Sequence, residues 1–160
     1  MIDGAKIGSA KILIVDHEPV IRTSMSHILI GVGYRVRSAE DGISALVKIG
    51  IEIPDIILSD LNLPSMSSFE LLSVIRRCFP SIWVIAMSRT FSGEEASSGI
   101  AADAFYQKGC GAGSLLKIIR DLPRSERKSL IHTAAPAPIW RRPKGRGTLY
   151  ERRATTVTVE

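Results

Sequence analysis

The sequence predicts an α/β fold: a doubly wound, five-stranded parallel sheet of flavodoxin-like, three-layer form. Three observations carry it. Short apolar runs without polar alternation recur along the chain, as in strands buried on both faces. Amphipathic helical stretches alternate with them, the pattern of successive strand–helix–strand units. Four of the five strands end in a polar or charged residue, Asp16, Asp60, Ser88 or Lys108. Right-handed crossovers would line these up along one edge of the sheet.

Taken in order, residues 1–9 are small and polar, and read as a leader. Lys11–Val15 is the first strand, ending at Asp16. His17-Glu18-Pro19 opens a helix: proline suits the first turn and the acid suits the positive end of the dipole. Ile21, Met25, Ile28 and Leu29 share one face of it, and Gly31-Val32-Gly33 stops it. Tyr34-Arg35-Val36 is a short strand. Asp41-Gly42 turns into a helix with Ile43, Leu46 and Val47 aligned, closing near Gly50.

Pro54–Asp60 is the third strand, followed by a loop to Ser68 and a helix over Phe69–Cys78, with Leu71, Val74, Ile75 and Cys78 on one side. Pro80 ends it. Ile82–Met87 is the fourth strand, ending at Ser88, and Ser92–Ala101 is a weak helix. Ala104–Gln107, ending at Lys108, is the fifth strand, and Ser114–Leu122 the last helix.

The chain has 160 residues, enough for one domain. No apolar run approaches the ~20 residues that cross a bilayer, and the N-terminus lacks a secretion pattern. Two cysteines, Cys78 and Cys110, are too few for a disulfide framework, so a reducing, cytoplasmic setting is expected. The net charge of +5 is confined to the end of the chain. Residues 1–120 hold 12 Lys+Arg and 12 Asp+Glu, whereas residues 121–160 hold 9 against 4. The stretch 123–160, with its Ala134–Pro138 linker and basic run around Trp140, reads as a disordered tail. Contact of this tail with nucleic acid or an anionic surface is a secondary expectation.

Two acids, a hydroxyl and a lysine on one edge suggest a specific chemistry. Neighbouring carboxylates repel unless a cation sits between them. Mg²⁺ suits such a pair, preferring hard oxygen ligands and phosphate. Lysine and hydroxyl then suit a phosphoryl group, and an aspartate can itself be the nucleophile.

Four segments, I-L-I-V-D-H-E-P-V-I-R (Ile12–Arg22), S-D-L-N-L-P-S-M-S-S-F-E-L-L (Ser59–Leu72), V-I-A-M-S (Val84–Ser88) and A-D-A-F-Y-Q-K (Ala102–Lys108), together resemble the receiver domain of two-component response regulators, of stand-alone type, over 10–122. The resemblance implies that Asp60 accepts a phosphoryl group from a histidine kinase or phosphotransfer protein, and that the domain signals by docking to a protein target rather than as an enzyme. It implies further that Asp16, Asp60 and the backbone carbonyl of Asn62 bind Mg²⁺. Ser88 would be the switch hydroxyl, Phe105 the switch aromatic and Lys108 the phosphate contact.

The sequence departs from the family pattern at three places. His17 stands where a second acid is usual, and imidazole is a poor ligand for Mg²⁺, so a weakened metal site is expected. Gly109 stands where a proline follows the lysine, so a trans Lys108–Gly109 link is expected. Ser67-Ser68 replace an acid–glycine pair, with Ser68 expected to cap the next helix. His17 and Gly109 also raise an alternative: a receiver-like binding module that works without phosphorylation.

Overall fold

The computed structural model describes residues 10–90 and 101–123. The leader, the Ser92–Ala101 helix up to residue 100, and the tail from residue 124 lie outside the described residues. Five strands form the sheet: β1 (Lys11–Val15), β2 (Arg35–Ala39), β3 (Ile56–Asp60), β4 (Trp83–Ser88) and β5 (Ala104–Gln107). Four helices are described: α1 (Pro19–Gly31), α2 (Gly42–Ile51), α3 (Ser68–Cys78) and α4 (Ala112–Asp121). The strand order is β2-β1-β3-β4-β5, with every pair parallel. This is the doubly wound sheet that the sequence predicts. The winding reverses between β1 and β3, and such a switch point opens a crevice at the strands' carboxyl ends.

Alternation along the strands builds two cores. Ile12, Ile14, Ile56, Leu58, Ile85 and Met87 face α1 and α4 through Met25, Leu29, Leu115 and Ile119. Leu13, Val15, Ile57 and Val84 face α2 and α3 through Ala45, Ile49, Leu71, Leu72 and Ile75. All five residues of β3 are buried, so its last residue, Asp60, is fixed from both layers.

Three sequence-based expectations need correction. The second strand runs over Arg35–Ala39 and leaves out Tyr34, a buried residue of the core under α1. In α2 the buried face is Gly42, Ala45 and Ile49, whereas Ile43 and Val47 are 55% and 60% exposed. This helix is apolar on most sides, so periodicity alone cannot select its inner face. Its start is set by a capping box, in which Asp41 Oδ1 accepts from the Ser44 amide at 2.7 Å and the Ser44 hydroxyl accepts from the Asp41 amide. At α3 the cap is Ser67, whose hydroxyl accepts from the Glu70 amide while Glu70 reaches back to the Ser67 amide. Ser68, expected as the cap, lies one residue inside the helix.

The outer edge of β2 is held by cations. Arg37 donates to the carbonyls of Lys48 (3.1 Å) and Glu52, Lys48 donates to the Ser38 carbonyl, and Arg35 pairs with Glu52 at 3.6 Å.

Candidate functional site

The register brings the ends of β1, β3 and β4 level, since Val15 pairs with Ser59 and Asp60 with Met87. Asp16 follows β1 directly and Asp60 ends β3, and both are buried, at 0% and 2% exposed. Lys108 follows β5 and reaches between them, its Nζ 2.6 Å from Asp16 Oδ2 and 2.9 Å from Asp60 Oδ2. Burial of this ammonium, the largest single influence, pushes its pKa down, but the carboxylates of Asp16 and Asp60 outweigh it and the net shift is upward.

Backbone amides at two loop starts orient the acids. The Glu18 amide donates to Asp16 Oδ1 at 2.9 Å, and the Asn62 amide donates to Asp60 Oδ1 at 3.0 Å. The Asp60 carbonyl is held by the Ser68 hydroxyl at 2.7 Å, so the displaced "cap" serine anchors the backbone of the acid instead. Arg22 on α1 donates to the Asp16 carbonyl at 2.6 Å.

His17 joins the cluster from the solvent side. Its Nδ1 is 3.1 Å from Asp60 Oδ2 and 3.9 Å from Asp16 Oδ1, while its side chain is 46% exposed. Glu18 lies with one oxygen 3.6 Å from Lys108 Nζ and is gripped by one edge of the Arg89 guanidinium, which donates from Nε at 3.2 Å and from a terminal nitrogen. Partial burial works to raise the Glu18 pKa, but Arg89 and then Lys108 overcome it and hold the carboxyl below its ordinary value.

Of the residues predicted from sequence, Asp16, His17, Asp60 and Lys108 meet in one cluster. Asn62 enters through its amide. Ser88 ends β4 beside them, its carbonyl accepting from the Lys108 amide at 2.9 Å, but its hydroxyl donates to the Thr90 carbonyl at 3.1 Å. Phe105 is half-buried on β5, opposite Ala86. The Lys108–Gly109 link is trans, and Gly109 has φ +96°, which a proline ring cannot adopt. Cys110 is exposed.

Two residues had no assigned place in the sequence reading, and a third, Ser68, was read as the helix cap. Arg22 lies one turn into α1. Arg89 is next to the predicted switch hydroxyl, and no local pattern signals its reach to Glu18. Ser68 was legible: Ser67-Ser68-Phe69-Glu70 is a capping-box spacing, which moves the cap to Ser67 and frees the Ser68 hydroxyl.

The donor set fits a divalent cation. One ligand atom from each of Asp16, His17, Glu18 and Asp60 lies within 4.8 Å of the others. Asp16 Oδ2 is fully buried, and its close partner is the Lys108 ammonium at 2.6 Å. One ammonium is shared between two buried carboxylates, with Glu18 as a third acid beside them, and a hard divalent cation suits such a carboxylate-rich set.

Comparison with known proteins agrees with this geometry. The family model described as the response regulator receiver domain matches residues 12–120. Among curated proteins, the chain is 33% identical over 84 residues to the sensor histidine kinase RcsC of Salmonella typhimurium, covering 52% of this chain and 9% of that protein. It is 29% identical over 118 residues to the response regulator MprA of Mycobacterium ulcerans, covering 72% of this chain and 51% of that one. The match thus spans about half or less of these relatives' own length. Among solved structures, the chemotaxis response regulator CheY4 of Vibrio cholerae is 32% identical with a TM-score of 0.66, covering 70% of this chain and 97% of that one. The response regulator TrrA of Thermotoga maritima, solved in complex with Mg²⁺-BeF, is 28% identical with a TM-score of 0.64 and covers 69% of this chain and 96% of that one.

Proposed function

Because the chain belongs to the response regulator receiver domain family, we propose that it is a phosphoacceptor of a two-component relay, with Asp60 receiving the phosphoryl group. The observation that carries this is the placement of Asp60: buried at the end of the central strand, with Oδ2 2.9 Å from Lys108 Nζ and close to a second buried acid. In the transfer, an Asp60 oxygen attacks phosphorus, the P–N bond of a partner phosphohistidine breaks, and the imidazole leaves with the electron pair. The product is an acyl phosphate on Asp60. Histidine kinases or phosphotransfer proteins are the donors this chemistry requires, and a docked protein is the expected readout, in a cytoplasmic setting. Among the described residues no helix is long and apolar enough to cross a membrane.

Each residue has a task in this reading. Lys108 neutralises the incoming phosphoryl oxygens and stabilises charge that develops in transfer. The Asn62 amide and the Ser68 hydroxyl keep Asp60 fixed, so the nucleophile is oriented before the donor arrives. Ser88 must leave the Thr90 carbonyl to reach a phosphoryl oxygen, which couples the site to the chain after β4, and Phe105 on the neighbouring strand follows that movement. Asp16, Glu18, Asp60 and the Asn62 carbonyl would hold Mg²⁺, which supplies charge neutralisation between the carboxylates and the phosphoryl group.

The second reading, a binding module independent of phosphorylation, is favoured by His17, whose ring nitrogen sits on the oxygen that Lys108 also faces. One experiment separates the two. The purified chain is incubated with acetyl phosphate and a divalent ion, beside Asp60→Asn, and intact mass is read. One phosphoryl group on the parent and none on Asp60→Asn is the expected result. No adduct on the parent with Mg²⁺, Mn²⁺ or Co²⁺ refutes the phosphoacceptor reading.

A further inference from the structure

The cluster at the carboxyl edge contains one nitrogen donor, and its position is informative. In an octahedral shell with bonds of about 2.1 Å, adjacent donors stand about 3.0 Å apart and opposed donors about 4.2 Å apart. His17 Nδ1 is 3.1 Å from Asp60 Oδ2 and 3.9 Å from Asp16 Oδ1, separations within that range. The four candidate donor atoms fit within 4.8 Å, so small side-chain rotations suffice to close them on one ion. The charges at the same place leave room for a cation: three carboxylates, Asp16, Glu18 and Asp60, meet there against two cationic side chains, Lys108 and Arg89. The His17 side chain is 46% exposed, so its ring can adjust without disturbing the core.

Ligand chemistry then decides which ion. Mg²⁺ binds through oxygen and gains little from imidazole, whereas affinity of an N/O site rises through Mn²⁺ and Co²⁺ towards the end of the first-row series. We propose that Asp16, His17, Glu18 and Asp60 form a divalent site selective for first-row transition ions over Mg²⁺, with His17 Nδ1 as the ligand that sets the selectivity. The proposal rests on the receiver reading of this edge, but it concerns ion binding alone and is tested without a phosphodonor.

The full chain is stripped with chelator and titrated with Mg²⁺, Mn²⁺ and Co²⁺, reading thermal unfolding for all three and the visible absorption of bound Co²⁺. Parent, His17→Ala, His17→Asp and His27→Ala are compared. The parent is expected to bind Co²⁺ at least about tenfold more tightly than Mg²⁺. His17→Ala should lose the Co²⁺ absorption and the preference, while His27→Ala, altered at an exposed site on α1, keeps both. His17→Asp should shift the preference towards Mg²⁺. Equal affinity for Mg²⁺ and Co²⁺ in the parent, or Co²⁺ binding unchanged in His17→Ala, overturns the proposal. Failure of Asp60 to accept phosphate while Co²⁺ still binds through His17 would count against the phosphoacceptor reading and leave this one standing.

Discussion

Replacing Lys108 by methionine isolates what the ammonium does for the fold. The side chain keeps its length and apolar stem but leaves Asp16 and Asp60, both buried, without their shared cation. Breaking a buried ion pair by removing one partner costs about 3–5 kcal/mol. The lower end applies here, because the cluster meets water on the side of the 46% exposed His17 ring. Unfolding entropy of about 2.1 cal/mol/K per residue, taken over residues 12–120, gives about 0.23 kcal/mol/K. A loss of about 3 kcal/mol therefore lowers Tm by about 13 °C. The assay is thermal unfolding of parent and Lys108→Met, across pH and with added divalent cation. The pH dependence has a definite sign. The folded pKa of Lys108 is raised, so its contribution is complete below the ordinary value of about 10.4 and is lost as pH rises through the folded value. The two proteins should stay apart at neutral pH and converge only on the alkaline side. A saturating divalent cation should restore much of the lost Tm in the variant. A Tm within about 4 °C of the parent at pH 7 without metal would refute the argument that Lys108 is the principal counter-charge of the two acids.

Three further outcomes are expected. Ser68→Ala removes the closer of the two hydroxyl donors to the Asp60 carbonyl, leaving Ser59 at 3.4 Å, and should cost about 1 kcal/mol in denaturant unfolding and slow acceptance from acetyl phosphate. Gly109→Ala places a side chain at φ +96° and should cost about 1–2 kcal/mol, measured in the same way. Asp41 has a folded pKa lowered first by the Ser44 amide and then by the Ser44 hydroxyl, so its stabilisation is complete above the ordinary carboxylate value and is lost as pH falls through the lower folded one. Asp41→Asn keeps an acceptor at the cap without the charge, so its Tm should fall less steeply with acid than the parent's.

The sheet was legible because buried parallel strands are continuous apolar runs that end abruptly at a polar residue. The order of Asp16, Asp60, Ser88 and Lys108 along one edge followed from topology alone, and three of them do meet. Their mutual geometry was less accessible. Ile43 and Val47 looked like core residues because α2 carries apolar residues on most sides, and its rotation is set by the packing of Ala45 and Ile49 in the core with Leu13, Val15 and Ile57. The direction of the Ser88 hydroxyl, and the hold of Arg89 on Glu18, depend on side-chain contacts across the fold. Glu18 and Arg89 are 71 residues apart, and no local spacing reports such a contact.

The charged border along β2 also bears on how copies of this chain meet. A parallel sheet that stops at an open strand offers its unpaired backbone groups to any extended segment, and a second identical edge is the nearest such segment in a concentrated solution. Here Lys48 already occupies the Ser38 carbonyl, and Arg35 and Arg37 would confront their own images across any such pairing. Edge-to-edge growth is therefore opposed by like-charge repulsion and by a carbonyl already engaged.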